Sequence, residues 1–195
     1  MNKNFFSPVM LVMALVFGTT VIGCDNGTTS DTWQDITSLD QMNGTWKSSY
    51  SQNNRPIKDV IEEQGGTWEP EMQAIYGDMR VTFRVDITLT INASAKTQAM
   101  SMTSTQSYSG GNINIIWPIL KQTLGSLAEE GVTVTTNDAD HSVSMTFSFP
   151  AETLSDAEIT EMLNSGLQIN QDGTKIMVPA NSLTEGMPEL IFYKQ

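Results

Sequence analysis

Between Met79 and Asn92 apolar and polar side chains alternate: Val81, Phe83, Val85, Ile87, Leu89 and Ile91 fall on one side, Thr82, Arg84, Asp86, Thr88 and Thr90 on the other. A period of two sends successive side chains to opposite faces of a strand, so one face is buried and the other wet. At about 3.3 Å per residue the stretch is more than twice the usual strand of about 5–6 residues, which predicts a bent strand of the kind that builds barrels. A Ser- and Thr-rich strand follows from Lys96 to Tyr108, suited to an exposed pleated surface, and Gly110-Gly111 closes it. Met42 to Tyr50 reads as the first strand. Val132–Thr136 and Ser142–Phe149 form a hairpin around Asn137, Asp138, Ala139 and Asp140, with Val143, Met145, Phe147 and Phe149 turned inward. Leu167–Asn170 and Thr174–Val178 flank Asp172-Gly173 as another hairpin, and Glu189–Lys194 is a last strand.

Helical spacing interrupts this pattern. After Arg55-Pro56, Ile57, Val60 and Ile61 share one face, and Gly65-Gly66 ends the segment; a short turn of helix runs from Pro70 to Gly77. Pro118 suits a first helical position, with Leu120, Leu124, Leu127 and Ala128 on one stripe and Gly131 as the stop, so a helix is expected over Pro118–Glu130. Ser155 and Glu158 have capping-box spacing and Leu154 can staple Ile159, which starts a helix at Asp156 that buries Ile159, Met162 and Leu163 and ends near Gly166. The fold class expected is mainly β with two or more short helices, its sheet mostly antiparallel because hairpin-length connections dominate.

The N-terminus has a different character. Lys3 precedes nine apolar residues, Val9 to Phe17, too few for the roughly 20 that a spanning helix takes but suited to a secretory signal core of about 7–15. Small residues follow, and Val21-Ile22-Gly23-Cys24 then resembles the lipobox of bacterial lipoprotein precursors. That resemblance implies cleavage before Cys24, a diacylglyceryl thioether on its sulfur and commonly an amide-linked acyl chain. Two or more chains hold firmly where one, at about 0.8 kcal/mol per buried methylene, binds reversibly. It places the chain in the cell envelope, attached to a membrane through lipid on Cys24. The expected organisation is a signal peptide at 1–23, a flexible lipidated tether at 24–40, rich in Gly, Thr, Ser and Asp, and one domain at 41–195. Trp33 is the one large apolar group of the tether and is expected to dock on the domain.

The mature chain has 195 − 23 = 172 residues, enough for one domain with a proper core. Removing the signal takes away Lys3 and no acid, so 10 basic and 22 acidic residues become 9 and 22, a charge of −13. That sign, with no Lys/Arg cluster, argues against nucleic acid and anionic headgroups as partners and suits a solvated surface. Because lipid consumes the sole cysteine, the domain has neither disulfide nor thiol nucleophile.

Two further patches carry a second resemblance. Gly44-Thr45-Trp46 on the first strand and Lys194 ending the last are similar to the Gly-x-Trp and closing basic residue of the lipocalin-like, or calycin, group. In that group the tryptophan plugs one end of a barrel beneath the basic side chain. The resemblance implies an antiparallel lipocalin-like β-barrel holding a small apolar ligand, with Gly44, Trp46 and Lys194 as barrel-closing residues. The chain lacks the later Thr-Asp-Tyr motif of that group and inserts a helix in mid-domain, so an open α+β antiparallel sheet with helices on one face is the competing architecture. The layout also resembles small repeated lipoproteins of spirochaetes.

Other chemistry finds little footing. His141, the only histidine, lies beside Asp138 and Asp140 without zinc spacing and is read as a turn residue, and no Gly-x-Ser-x-Gly elbow exists to partner it. Asn170-Gln171-Asp172-Gly173 lacks the later ligands of a calcium loop, and Met100-Ser101-Met102 is read as core filling rather than a copper site. Gly110-Gly111 has no following lysine for phosphate. No catalytic residue, metal or cofactor is assigned, and the expectation is a non-enzyme. The expected function is a membrane-anchored binding lipoprotein; the alternative is a surface interaction, adhesin or structural envelope protein with a solid core.

Overall fold

The computed structural model describes residues 31–63, 66–125, 132–180 and 189–195. In chain order the elements are β1 (Trp33–Asp35), a 3-10 turn (Leu39–Met42), β2 (Gly44–Pro56), α1 (Ile57–Glu63), α2 (Pro70–Tyr76), β3 (Arg80–Asn92) and β4 (Thr97–Ser109). They continue with α3 (Ile113–Gly125), β5 (Val132–Asn137), β6 (Ser142–Thr153), α4 (Asp156–Leu163), β7 (Gln168–Asn170), β8 (Lys175–Val178) and β9 (Leu190–Lys194). Nine antiparallel strands form one sheet in the order β1-β7-β8-β9-β2-β3-β4-β6-β5. The protein is therefore mainly β with four helices among the described residues. The two end strands, β1 and β5, do not pair with each other, so the ladder is not closed and the open α+β alternative fits.

Contacts divide the chain into two compact units. Among the described residues the first joins 31–48, Thr88–Met100 and the stretch from Pro150 onward; the second joins Ser49–Ile87 and Ser101–Phe149. The long strands β2, β3, β4 and β6 each contribute to both.

In the first unit the core is Ile36, Leu39, Met42, Trp46, Ile91, Leu154, Met162, Leu167, Ile169, Ile176, Val178, Leu190 and Phe192. Residues 31–40, expected as tether, are part of this unit. Trp33 and Asp35 pair with Asn170 and Gln168, the Ile36 amide donates to the Leu167 carbonyl, and Asp31 bonds Lys175 at 2.7 Å. The physical reason lies in Ile36 and Leu39, two apolar side chains in an otherwise polar stretch, each worth about 1.5–3 kcal/mol when buried. Trp33 is half-buried. At α4 the Ser155 hydroxyl accepts the Glu158 amide, and Glu158 Oε2 accepts the Ser155 amide at 2.8 Å, the reciprocal cap expected from the sequence.

In the second unit Val60, Met79, Val81, Tyr108, Ile113, Ile116, Trp117 and Val143 form the core. β3 buries Val81, Val85 and Ile87 here, as its alternation predicts. β4 departs from expectation: despite its hydroxyl-rich composition Met102, Ser104 and Tyr108 are buried on one face. Small hydroxyl residues fit a close-packed interior once bonded, and the opposite face of β4 spends its hydroxyls across strands, Thr103 to Thr146 at 3.0 Å and Thr105 to Ser144 at 2.9 Å.

The mid-domain helix also departs from expectation. It begins at Ile113, leaving Pro118 inside rather than at its start. Proline there removes the bond to the carbonyl four residues back, a cost of about 3 kcal/mol. Burial of Ile113, Ile116 and Trp117, one helical stripe, offsets it. The start is fixed by Asn112, whose carbonyl accepts the Ile115 and Ile116 amides and whose side-chain amide donates to the Ala74 and Ile75 carbonyls ending α2. Residues 126–130 of the expected helix lie outside the described residues, as does Gly65.

Candidate functional site

Three places concentrate side-chain chemistry. The first is a corner of the first unit where β2 and β9 meet. β2 and β9 pair so that Trp46 stands opposite Lys194. The Trp46 ring is 0% exposed; its indole N–H donates to the Met42 carbonyl at 2.7 Å, and the Lys194 ammonium lies 5.2 Å from the ring centroid. Gly44 has φ of +126°, and a Cβ there would sit 3.3 Å from Lys194 Cε, so the glycine gives the lysine stem its path. Upstream, Gln41 Oε1 accepts the Thr37 and Ser38 amides and holds the turn that carries Met42. The arrangement is a cation–π contact between a buried aromatic and an exposed cation, worth about 0.5–1 kcal/mol at an exposed site.

The second place is a groove in the second unit of about 660 Å³, between α3 and β5. Trp117, Pro118, Lys121 and Gln122 line it from the helix, Val134 and Thr136 from the strand, and Asp138 stands at its end. Asp138 accepts the Trp117 indole N–H at 2.7 Å and bonds the Lys121 ammonium through both carboxylate oxygens, at 2.7 and 2.8 Å. The Lys121 bond first, and the Trp117 bond next, hold the Asp138 carboxyl below the usual carboxylate range. On the same helix Ile115 and Ile119 are 74% and 65% exposed, an apolar pair at one-turn spacing turned to solvent. A third, shallow groove of about 520 Å³ in the first unit runs between Ile36 and Thr37 on one side and Thr160, Leu163 and Asn164 on the other.

The remaining candidates resolve into structure. His141 has φ of +50° in the β5–β6 turn and sets its ring edge-on to Trp117 with centroids 5.5 Å apart. Asp140 accepts the Ser142 hydroxyl, so His141, Asp138 and Asp140 each face a different partner, and among the described residues no cluster of three His, Cys, Asp or Glu could hold a metal. The Asn170 side chain accepts the Thr174 and Lys175 amides and shapes the β7–β8 turn. Met102 is 1% exposed and belongs to the core. Gly110 and Gly111 both have positive φ and form a tight connection. Val21, Ile22, Gly23 and Cys24 lie outside the described residues. Among those described, no helix is long and apolar enough to cross a membrane.

Sequence reasoning missed the groove because placing Pro118 first in the helix left Trp117 outside it. Ile113, Ile116, Trp117 and Leu120 stand at i, i+3, i+4, i+7, a stripe that would have moved the start upstream. Comparison with protein-family models, curated proteins and solved structures returns no match.

Proposed function

We propose that the chain is a cell-envelope lipoprotein, anchored through lipid on Cys24, whose sheet curls into a lipocalin-like barrel around a small apolar ligand. It acts as a binding protein rather than an enzyme. The observation that supports the reading is the Trp46–Lys194 contact: residues 148 positions apart (194 − 46) stand opposite each other on paired strands, the cation 5.2 Å from the ring. The inward row Val81, Val85 and Ile87 on a thirteen-residue strand supports an apolar interior. Native mass spectrometry of gently purified protein tests it, with a co-purifying apolar mass expected; an experimental structure whose interior is wholly filled by side chains would sink the ligand reading. The anchor has its own test. Cys24→Ser should leave the domain folded but release it, or strand it as unprocessed precursor, and normal processing with membrane retention would refute the lipid site.

A second reading, a surface interaction protein with a working outer face, is favoured by the exposure of Ile115 and Ile119. Isolated exposed apolar residues are ordinary, but two on adjacent turns beside an open groove form a patch.

A further inference from the structure

We infer that the Gln98 carboxamide is the polar end of a ligand site in the first unit, and that the ligand is an amphiphile: an apolar body bearing one neutral hydrogen-bond donor, such as a hydroxyl. The inference rests on the binding reading above and names the headgroup chemistry which that reading leaves open. Gln98 is 5% exposed on β4, and its Oε1 is the only buried side-chain polar atom among the described residues with no hydrogen-bond partner. Asn170, just as deeply enclosed, spends its side-chain oxygen on the Thr174 and Lys175 amides. An unpaired buried acceptor carries its desolvation cost with nothing in return, and native folds rarely leave one so.

Its neighbours define the body of the ligand. β3 and β4 lie side by side in the sheet, joined by the turn at 93–96. Their buried faces coincide, since Val81 and Tyr108 pack in one cluster, and alternation then sets Leu89 and Ile91 on the same face as Gln98 and Met100. All four belong to the first unit. Ile91 is buried, whereas Leu89 and Met100, one step farther from the turn, are only half-buried. Two apolar side chains on the covered face thus stay partly open beside an enclosed, unpaired acceptor, the apolar lining with one polar group that small-molecule sites use. An acceptor selects a donor, and the surroundings select a neutral one. The buried polar side chains among the described residues are Ser48, Gln98, Ser104, Ser142 and Asn170, none of them charged. Lys96 and Asp156, the ionic groups nearest along the chain, bond each other at 2.8 Å in solvent. A charged headgroup would enter without a counter-ion, a penalty that one amide does not offset. A lone water is the poorer occupant, for it needs about 2–4 polar partners and Leu89, Ile91 and Met100 give it no strong one.

The probes are decanol and its isomer nonyl methyl ether, which differ in that only the alcohol can donate. Each is equilibrated by dialysis against the full lipidated protein in lipid nanodiscs, with empty nanodiscs as the blank. Decanol should bind about tenfold more tightly than the ether. Gln98→Met, which keeps the length of the side chain and removes the acceptor, should erase that advantage and leave the ether's affinity within about twofold. The Gln98 side-chain amide resonances should move with decanol and not with the ether, a readout that needs no variant. Equal or reversed affinities for the unaltered protein, an advantage that survives Gln98→Met, or Gln98 resonances indifferent to decanol would overturn this inference and leave an apolar ligand standing. Binding of neither isomer, by protein whose circular dichroism is that of a folded domain, would overturn the ligand reading together with it.

Discussion

Replacing Trp46 by leucine and Lys194 by methionine, singly and together, separates the two parts of their contact. Trp46 is wholly buried and Met42 is 1% exposed, so the Met42 carbonyl that accepts the indole N–H has no access to water. Trp46→Leu therefore removes buried volume and orphans an acceptor. Truncating a buried tryptophan to alanine costs about 3–5 kcal/mol; leucine recovers part of that, while the orphaned carbonyl adds about 1–3 kcal/mol, so the expected loss is about 3–5 kcal/mol. Against a total stability of about 5–15 kcal/mol, and a urea slope of about 1–3 kcal/mol/M, the unfolding midpoint should fall by about 2 M. Lys194→Met removes only the cation over the ring, about 0.5–1 kcal/mol. The double variant should cost less than the sum of the two by that same amount, because the cation has no ring to face once Trp46 is gone. Equilibrium urea unfolding of all four proteins, followed by far-UV circular dichroism, gives the coupling. A coupling indistinguishable from zero would show that Lys194 only lies near the ring, and a Trp46→Leu loss under 1 kcal/mol would refute the account of the buried acceptor.

Gly111→Ala should destabilise by more than about 2 kcal/mol in thermal unfolding, because the new Cβ would lie 2.2 Å from the Tyr76 carbonyl oxygen at a φ of +51°. Gly173→Ala is the matched control: its φ is +66° with no atom within 4 Å, so only the backbone cost of about 1–2 kcal/mol should appear, and equal losses would refute the clash. Burial pushes the Tyr108 phenol up to about 12 from 10.0, so the unfolded chain gives up its proton first and stability should fall between those two pH values. Tyr108→Phe should flatten that decline, which alkaline urea titrations would reveal. The Asp138 carboxyl, held low chiefly by Lys121, contributes stability that is fully present above its ordinary value of 3.8 and is lost progressively as pH falls from there through the lower folded value. Emission that differs between the protein and Asp138→Asn should thus persist through pH 3.8 and vanish below it; loss of the difference at or above the ordinary value would contradict the Trp117–Asp138 bond.

Elements whose apolar residues repeat locally were legible in the chain. The alternation of β3, the Ser155–Glu158 cap of α4 and the Asp172-Gly173 turn each depend on neighbours within a few residues, and each stands where its spacing predicts. The beginning of α3 was not, because the propensity of Pro118 for a first turn was outweighed by tertiary burial of Ile113, Ile116 and Trp117, which no local rule measures. Residues 31–40 were misread for a related reason. Their composition is that of a linker, and only contacts far along the chain, Trp33 to Asn170 and Asp31 to Lys175, hold them. The candidate groove shared this fate, since Trp117, Val134 and Asp138 converge from a helix, a strand and a turn. Gly44, Trp46 and Lys194 meet at a pairing of distant strands, and it was the resemblance, not periodicity, that named them together.

The attachment of Asp31–Asp35 to the first unit gives the molecule a mechanical polarity. A pull on the N-terminal side reaches the domain at the Asp31–Lys175 ion pair and the three residue pairs of β1 with β7, at one margin of the sheet. Load there unzips a short ladder pair by pair before any of it reaches Trp46. Tension applied from that side should therefore be absorbed by paying out a few residues of chain at low force, with Trp46 and its contacts undisturbed.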